Sequence, residues 1–505
     1  MRVLVTGGSG VIGEGLLPCL LEEGHQVRLL TRQAEETARK WPSGVEACPA
    51  DVTDPNQLAG VADGCQAVIH ITGIVHEQPP DITFERVNVG GTRNLLSEAT
   101  RAGLPKFVYI SSLGAERGTS RYHESKRAAE GLVRGYAGMW VILRSGNVYG
   151  PGDEVISALL RMHRTLPILP VIGTGGQAFQ PIWYRDLGQA IARAVAAPIE
   201  SGTYEVAGDD VTTTSTVLDH FERLTDRSPV RIPVPEFLAG AGARLAELAG
   251  LSLPFNDSQV QMVIEENVIH APEGNALTRV FEVTPTPLVD GLTMLADAQP
   301  EQTPDQGIGQ MERKRFWADI SQSTYDPDSL MEAFRRRCTE LMPIEFTAEP
   351  GTPQEVVEGA TLTARLPMRG NVQIRVEEVK PRVVTFATLR GHPLAGVVRF
   401  TTSAPRPGVV RFGVGVFARA ASMLDWLALS AGGAAAQNST WRTVVERVAE
   451  MAGGDSDGVQ QDADLVNGRD SEEIEEWISE LITRHKRVER EPRESPEVLN
   501  PIGRE

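Results

Sequence analysis

The chain opens on Val3-Leu4-Val5-Thr6-Gly7-Gly8-Ser9-Gly10-Val11-Ile12-Gly13, and the reading of these residues decides the fold of its first half. Val3 to Thr6 is a short apolar, β-branched run of the kind that forms a buried strand. Glycines then stand at 7, 10 and 13, and Leu16, Leu17, Leu20 and Leu21 follow at helical spacing. In a strand–turn–helix unit each of the three glycines has its own reason. The first permits the tight turn, the second lets backbone approach a pyrophosphate, and the third lets helix and strand pack closely. The helix N-terminus offers unpaired N–H groups and partial positive charge to the phosphates. Ser9, Val11 and Ile12 complete the loop that would face them.

Working outward, Gln26 to Leu30 is a second strand ending in Thr31-Arg32. An NAD site places an acidic residue about 20 positions beyond the glycines to accept the ribose hydroxyls. Arg32 stands there instead. A guanidinium suits a ribose 2′-phosphate through paired, charge-assisted bonds, which favours NADP over NAD. The alternative is a solvated Arg32, with Glu35 or Glu36 on the ribose. A third strand, Val45 to Cys48, leads to Asp51-Val52, and a fourth, Ala67 to Ile71, leads to Thr72-Gly73. Helical stretches at 57–61 and 84–102 alternate with them. Alternation of this kind predicts a doubly wound, Rossmann-like parallel sheet of α/β class with helices on both faces. Ligands then sit beyond the carboxyl ends of the strands, where Gly7, Arg32, Asp51 and Gly73 gather. His70, inside an apolar strand, reads as a hydrogen-bonded core residue.

The fifth strand, Lys106 to Ile110, ends in Ser111-Ser112, and Tyr122 and Lys126 follow before a sixth strand at Trp140 to Arg144. Four apart on a helix, Tyr122 and Lys126 share one face. Here the sequence resembles the short-chain dehydrogenase/reductase superfamily, in its extended and atypical branches of NAD(P)-dependent epimerases, dehydratases and reductases. The matching pieces are Thr6-Gly7-x-x-Gly10-x-x-Gly13, Asp51-Val52, Asn88-Val89-x-Gly91-Thr92, Ile110-Ser111-Ser112, Tyr122-x-x-x-Lys126 and Leu143-Arg144-Ser145-Gly146-Asn147-Val148-Tyr149-Gly150-Pro151-Gly152. The short gap between Ser112 and Tyr122 is similar to the atypical group that includes the NAD(P)H-binding accessory subunit of respiratory complex I.

The resemblance implies Tyr122 as acid/base, Lys126 as its electrostatic partner and ribose ligand, and Ser112 as the hydroxyl that orients a substrate oxygen. It implies cofactor contacts from Gly7, Ser9, Gly10, Val11, Ile12, Gly13, Arg32, Asp51, Val52, Ile71, Thr72, Gly73, Ser145 and Val148. A nearby ammonium and an oxidised nicotinamide would favour the Tyr122 phenolate over the free phenol near pH 10. Three functions fit: an NAD(P)H-dependent oxidoreductase on a small carbonyl or alcohol, an epimerase or dehydratase that retains its cofactor, and a cofactor-binding structural or assembly protein. In the segment Pro181 to Leu187, Asp186 reads as a helix N-cap. The stretches 238–251 and 257–265 read as a lid over the substrate.

The remaining composition bounds these readings. A length of 505 residues predicts two domains, and the net charge of −18 argues against a nucleic-acid partner. Four scattered cysteines form no metal-ligand pattern, so no metal is expected. No apolar run of membrane-spanning length occurs, and the start at Met1-Arg2 leaves no room for a leader, which predicts a cytoplasmic protein. The expected layout is a cofactor and substrate domain over 1–296, a polar linker over 297–312, a second domain over 313–453 and an acidic tail over 454–505. In the second domain a helix at 329–341, five strands between 361 and 416 and a helix near 439–451 predict an α+β fold. That part is similar to helix-grip, START-like domains and to an uncharacterised domain family of that type. Its interior reads as an apolar ligand cavity, a solid core or a dimer surface, so a homo-oligomer is one reading. The tail carries one helix, 471–485, with an apolar stripe that should dock, followed by a disordered end at 489–505.

Overall fold

The computed structural model describes residues 1–41, 44–235, 265–366 and 369–490. The expected lid, apart from Glu265, and the chain end beyond 490 lie outside these residues.

A seven-stranded parallel sheet forms the first domain, built from β1 (Arg2–Thr6), β2 (Gln26–Thr31), β3 (Val45–Pro49), β4 (Ala67–His70), β5 (Lys106–Ser112), β6 (Met139–Ser145) and β11 (Gly202–Val206). Short strands β7 (Val148–Tyr149), β8 (Ile168–Ile172), β9 (Ala178–Phe179) and β10 (Ile182–Trp183) lie between the last two. The order β11-β6-β5-β4-β1-β2-β3 reverses direction between β1 and β4, and in open α/β sheets ligands collect at that switch point.

The two faces follow from the period of two along each strand. Val3, Val5, Leu29, Ile69 and Val108 bury one face beneath α1 (Val11–Glu22). Leu4, Leu30, Val68 and Phe107 bury the other with Leu95 and Val133. The helices on this side are α3 (Pro55–Leu58), α4 (Gly91–Arg101) and α5 (Arg121–Arg134), while α2 (Ala34–Lys40) ends at Trp41, which packs on the α1 face. Helix α6 (Ile156–Thr165) follows, and α7 (Tyr184–Ala196) crosses α1 with Gly15 against Gly188. A Cβ on Gly15 would stand 2.3 Å from the Tyr184 carbonyl oxygen, so this crossing excludes any side chain.

Asp186 does not cap α7. Trp183 occupies the N-cap, and the buried Asp186 carboxylate accepts from the N–H and hydroxyl of Thr286 instead. A second layer packs Leu159, Trp183, Phe221 and Leu292 together. It draws on α8 (Thr214–Thr225) and α10 (Leu288–Asp297), with β12 (Thr212–Thr213) paired to β9 and β13 (Val230–Val234) paired to β8, whereas α9 (Ala276–Arg279) buries Ala276 and Leu277 on the α1 face of the sheet.

The second domain is an antiparallel sheet of β14 (Ile308–Ser321), β15 (Thr361–Leu366), β16 (Gly370–Lys380), β17 (Val383–Thr388), β18 (Leu394–Arg406), β19 (Val409–Ala420), β20 (Asp455–Ser456) and β21 (Gln460–Val466). Helices α11 (Pro327–Leu341) and α13 (Ala434–Ala452) cover one face, and α12 (Met423–Ala428) precedes the second of them. Phe334 lies 4.7 Å from Phe400 and 5.2 Å from Phe412 between ring centroids, so aromatic side chains fill the interior.

Strands β14 and β21 are additions to the sequence reading. Their outward residues are charged and pair across the ladder, Arg313 with Asp464 and Arg315 with Asp462, which disguises them as linker and tail. The stretch expected as linker is built into the fold. Glu301 is buried against Arg375 and its backbone bridges Leu389, and β14 begins at Ile308. The tail helix α14 (Arg469–Arg490) docks its stripe, setting Ile478 and Ile482 against Ala387 and Val397.

A buried ion pair joins the halves. Arg164, at the end of α6, donates to both Glu349 oxygens at 2.9 and 2.7 Å and to Gln373 at 2.7 Å. Among the described residues no helix is long and apolar enough to cross a membrane.

Candidate active site

The glycine loop ends β1 at the switch point. Gly7 has φ +73°, and a Cβ there would stand 2.7 Å from the Thr72 nitrogen, so the turn requires glycine where the chain leaving β4 passes. Gly13 packs so tightly on the loop that a Cβ would stand 2.1 Å from the Gly8 carbonyl oxygen. Gly10 is open by comparison, with only the Gly7 oxygen within 4 Å of its Cβ position. It is also the N-cap of α1, and no side chain caps that end. An uncapped first turn beside an open glycine fits a pyrophosphate.

Arg32 lies exposed just past the end of β2 and has no ion pair among the described residues. The Glu35 and Glu36 side chains lie outside the described set. Asp51 is tied into its own turn, its Oδ1 accepting from the Thr53 N–H and hydroxyl, both at 2.8 Å. Val52 packs where a Cβ on Gly91 would be. Ile71, Thr72 and Gly73 continue from β4, with the Thr72 N–H donating to the Thr6 hydroxyl. The Ser145 hydroxyl donates to the Ser111 carbonyl, and Val148 lies in β7 beside β10. His70 is a core residue, bonded to the Thr6 hydroxyl at 2.7 Å and the Thr92 hydroxyl at 3.0 Å. Its burial pushes the imidazole down to about 3, so it stays neutral.

Tyr122 and Lys126 share one face of α5, whose first turn is capped by Ser120. The Lys126 ammonium is buried; it donates to the Ile110 carbonyl at 2.6 Å and lies 4.6 Å from the Tyr109 ring centroid. Gly73 leaves room for it, since a Cβ there would be 3.5 Å from Nζ. Asn88 stands alongside in a π-helical turn, Glu85–Gly90. Its Oδ1 accepts from the Ile74 N–H, and its Nδ2 donates to the Ile74 carbonyl and the Ser125 hydroxyl. Burial brings the Lys126 ammonium down to about 8, offset in part by Glu130.

Burial and the charge of Glu154 push the Tyr122 hydroxyl up to about 12, so the protein itself favours the phenol over the phenolate. The desolvation that lowers Lys126 also raises Tyr122.

The two serines part ways, as neighbours on a strand must. Ser111 donates to Glu130, which Arg144 clamps through two bonds at 2.9 and 2.8 Å. Ser112 caps the turn at Leu113–Ala115, accepting from the Gly114 N–H, and its hydroxyl meets His123 Nε2 at 3.4 Å. The other ring nitrogen of His123 pairs with the Glu265 carboxylate. Glu265 also accepts from the Thr119 and Ser120 N–H groups, both at 2.9 Å. A Cβ on Gly114 or Gly118 would stand 2.4 or 2.2 Å from the His123 ring, so the loop after β5 is shaped around that imidazole. The sequence reading missed both His123 and Glu265. The histidine adjoins Tyr122, but its carboxylate partner lies 142 residues further on.

Comparison with known proteins supports the same half of the chain. Residues 3–207 match the NAD dependent epimerase/dehydratase family. Residues 328–447 match a domain of unknown function, DUF1990. A ceramide reductase of Caulobacter vibrioides is 34% identical over 171 residues, which are 34% of this chain and 53% of that protein. A 3 beta-hydroxysteroid dehydrogenase/Delta 5-->4-isomerase of Mycobacterium tuberculosis is 34% identical over 183 residues, 31% of this chain and 49% of that protein. The chain thus spans about half the length of these curated relatives. The mitochondrial NADH dehydrogenase (ubiquinone) 1 alpha subcomplex subunit 9 of Arabidopsis thaliana is 26% identical over 260 residues, 50% of this chain and 64% of that protein. A structure of MoeE5 in complex with UDP-glucose and NAD covers 59% of this chain and 97% of its own, at 22% identity and a TM-score of 0.47.

Proposed function

We propose that this protein is an NAD(P)H-dependent oxidoreductase that transfers a hydride to or from a small carbonyl or alcohol, with Tyr122 as the acid/base. The observation that carries this reading is the buried Lys126 ammonium on the same helical face as Tyr122, between Gly73 and the Ile110 carbonyl, beside the glycine loop. The cofactor, when bound, supplies or receives the hydride. The raised pKa of Tyr122 keeps its proton at neutral pH, which suits donation to the oxygen of a carbonyl under reduction. The Ser112 hydroxyl orients that oxygen, and His123 and Glu265 hold the loop that carries Ser112. Lys126 places its charge where it eases loss of the tyrosine proton. Arg32, exposed at the end of β2 and with no ion pair among the described residues, supports NADP over NAD.

The ceramide reductase and the steroid dehydrogenase support an apolar substrate. The family match also favours a second reading, epimerisation or dehydration with the cofactor retained. The plant complex I subunit favours a third, a structural role for bound cofactor. For the second domain, one antiparallel sheet gripped by α13 supports a START-like assignment.

Titration with NADPH and NADH, followed by a carbonyl screen read by cofactor absorbance, tests these readings together. NADPH is expected to bind at least ten-fold more tightly, and net consumption with a carbonyl is expected. Equal affinities would remove the role of Arg32. Substrate change without net consumption would favour the second reading, and tight binding without turnover the third.

A further inference from the structure

Ser112, His123 and Glu265 form a chain of three side chains at the end of β5, and each link has one direction. The Glu265 carboxylate anchors it. Its Oε1 accepts from the N–H and hydroxyl of Thr119 at 2.9 and 3.0 Å and from the Ser120 N–H at 2.9 Å, while Oε2 faces His123 Nδ1. Burial works against the charged carboxylate, but the bonds from Thr119 and the contact with His123 outweigh it and hold the carboxyl below its usual range. An ionised carboxylate only accepts, so the proton between Glu265 and His123 sits on Nδ1.

That leaves Nε2 of the neutral ring with a bare lone pair, and the Ser112 hydroxyl is 3.4 Å from it. Two lone pairs cannot bond to each other, so the Ser112 proton points at Nε2. Ser112 Oγ in turn accepts from the Gly114 N–H at 3.3 Å. The hydroxyl then has a lone pair, and no proton, left for a ligand. The ring has little freedom to turn. His123 is 3% exposed, its ring centroid lies 5.1 Å from that of Tyr122, and Ser120 Oγ stands 3.0 Å from Nδ1 and accepts from the His123 N–H. Arg127 ties down the surrounding loop through the Ala115 and Gly118 carbonyls, both at 2.8 Å.

We propose that Glu265 and His123 are positioning residues that fix the direction of the Ser112 proton, drawing it onto Nε2 while the ring is neutral and turning it toward a ligand oxygen when the ring is protonated, which rests on the role of Ser112 in the proposed oxidoreductase. In the protonated ring Nε2–H donates to Ser112 Oγ, and the serine proton is released. Ser112 is then an acceptor that suits the hydroxyl of an alcohol in the first state, and a donor that suits a carbonyl oxygen in the second. Few groups set the balance between these states. Burial disfavours the protonated ring, Glu265 favours it, and Arg127 and Lys126 oppose it, which brings the imidazole below its usual 6.5. The Tyr122 ring beside it is an uncharged phenol at these pH values.

NMR of the full chain with ring-15N-labelled histidine tests this without any substrate, His123→Gln identifying the signal and circular dichroism reporting that the variants fold. A neutral His123 protonated on Nδ1 is expected, with an Nε2 resonance that moves in Ser112→Ala while that of Nδ1 keeps its position. A neutral ring protonated on Nε2, or an Nε2 resonance that ignores Ser112→Ala, overturns the proposal. With the first carbonyl compound found to be turned over, kcat/KM for reduction is expected to fall as pH rises through the ring titration seen by NMR. The fall is about two- to ten-fold, the worth of one neutral hydrogen bond, and His123→Gln is expected to lack it. The same fall persisting in His123→Gln also overturns the proposal. The expected NMR signals without any turnover support the proton direction and count against the oxidoreductase.

Discussion

Replacing Lys126 by methionine tests the electrostatics of the site without any substrate. Lys126 is 4% exposed, and burial brings its ammonium from 10.5 down to about 8. Carrying the charged form in that environment costs the folded state about 3 kcal/mol at pH 7. Because the folded pKa is the lower one, the unfolded chain binds more protons between pH 8 and 10.5. Stability therefore rises with pH through that window, and by pH 10 about 1 kcal/mol of the cost remains. Methionine preserves the buried stem and does not titrate. It gives up the bond to the Ile110 carbonyl, a loss of about 1 kcal/mol that is the same at both pH values. Urea denaturation of both proteins at pH 7 and pH 10 gives four stabilities. The gap between them is expected to move by about 2 kcal/mol toward the wild type on going to pH 10. A gap that stays constant, or moves the other way, would show that Lys126 is not a desolvated ammonium.

Other perturbations read different parts of the account. Gly13→Ala drives a methyl into the Gly8 carbonyl; a loss of about 1–3 kcal/mol in denaturation and a weaker cofactor titration are expected. Arg164→Met leaves Glu349 buried with, among the described residues, only Asn371 as its side-chain partner, at an expected cost of about 3–5 kcal/mol. Calorimetry of that variant is expected to resolve two transitions where the wild type has one. In Glu265→Gln the charge that favours a protonated His123 is gone while burial persists, so the imidazole pKa followed by NMR is expected to fall. A rise would remove Glu265 from the site.

Much of the first domain was legible because local signals agreed there. The glycine spacing, the alternation of strands with helices and the Tyr122–Lys126 pair all describe neighbours within a few residues. Arg32 was legible as a position but not as a contact. What escaped depends on distant partners. Asp186 looks like a cap until Thr286, 100 residues on, takes its oxygens. Glu265 finds His123 only after the chain has folded, and Tyr122 is raised because burial and the charge of Glu154 act in the same direction. Strand β14 was hidden by its own chemistry. Lys314 and Phe316 face inward while Arg313 and Arg315 face acidic partners on β21, so the run reads as a polar connector.

The central claim is that Tyr122 moves the proton that accompanies hydride transfer. It is tested most directly by comparing wild type and Tyr122→Phe for cofactor consumption with the first carbonyl compound found to be turned over. A loss of roughly 10²–10⁴-fold in turnover is expected, with cofactor affinity unchanged. Turnover that persists in the phenylalanine variant would contradict it.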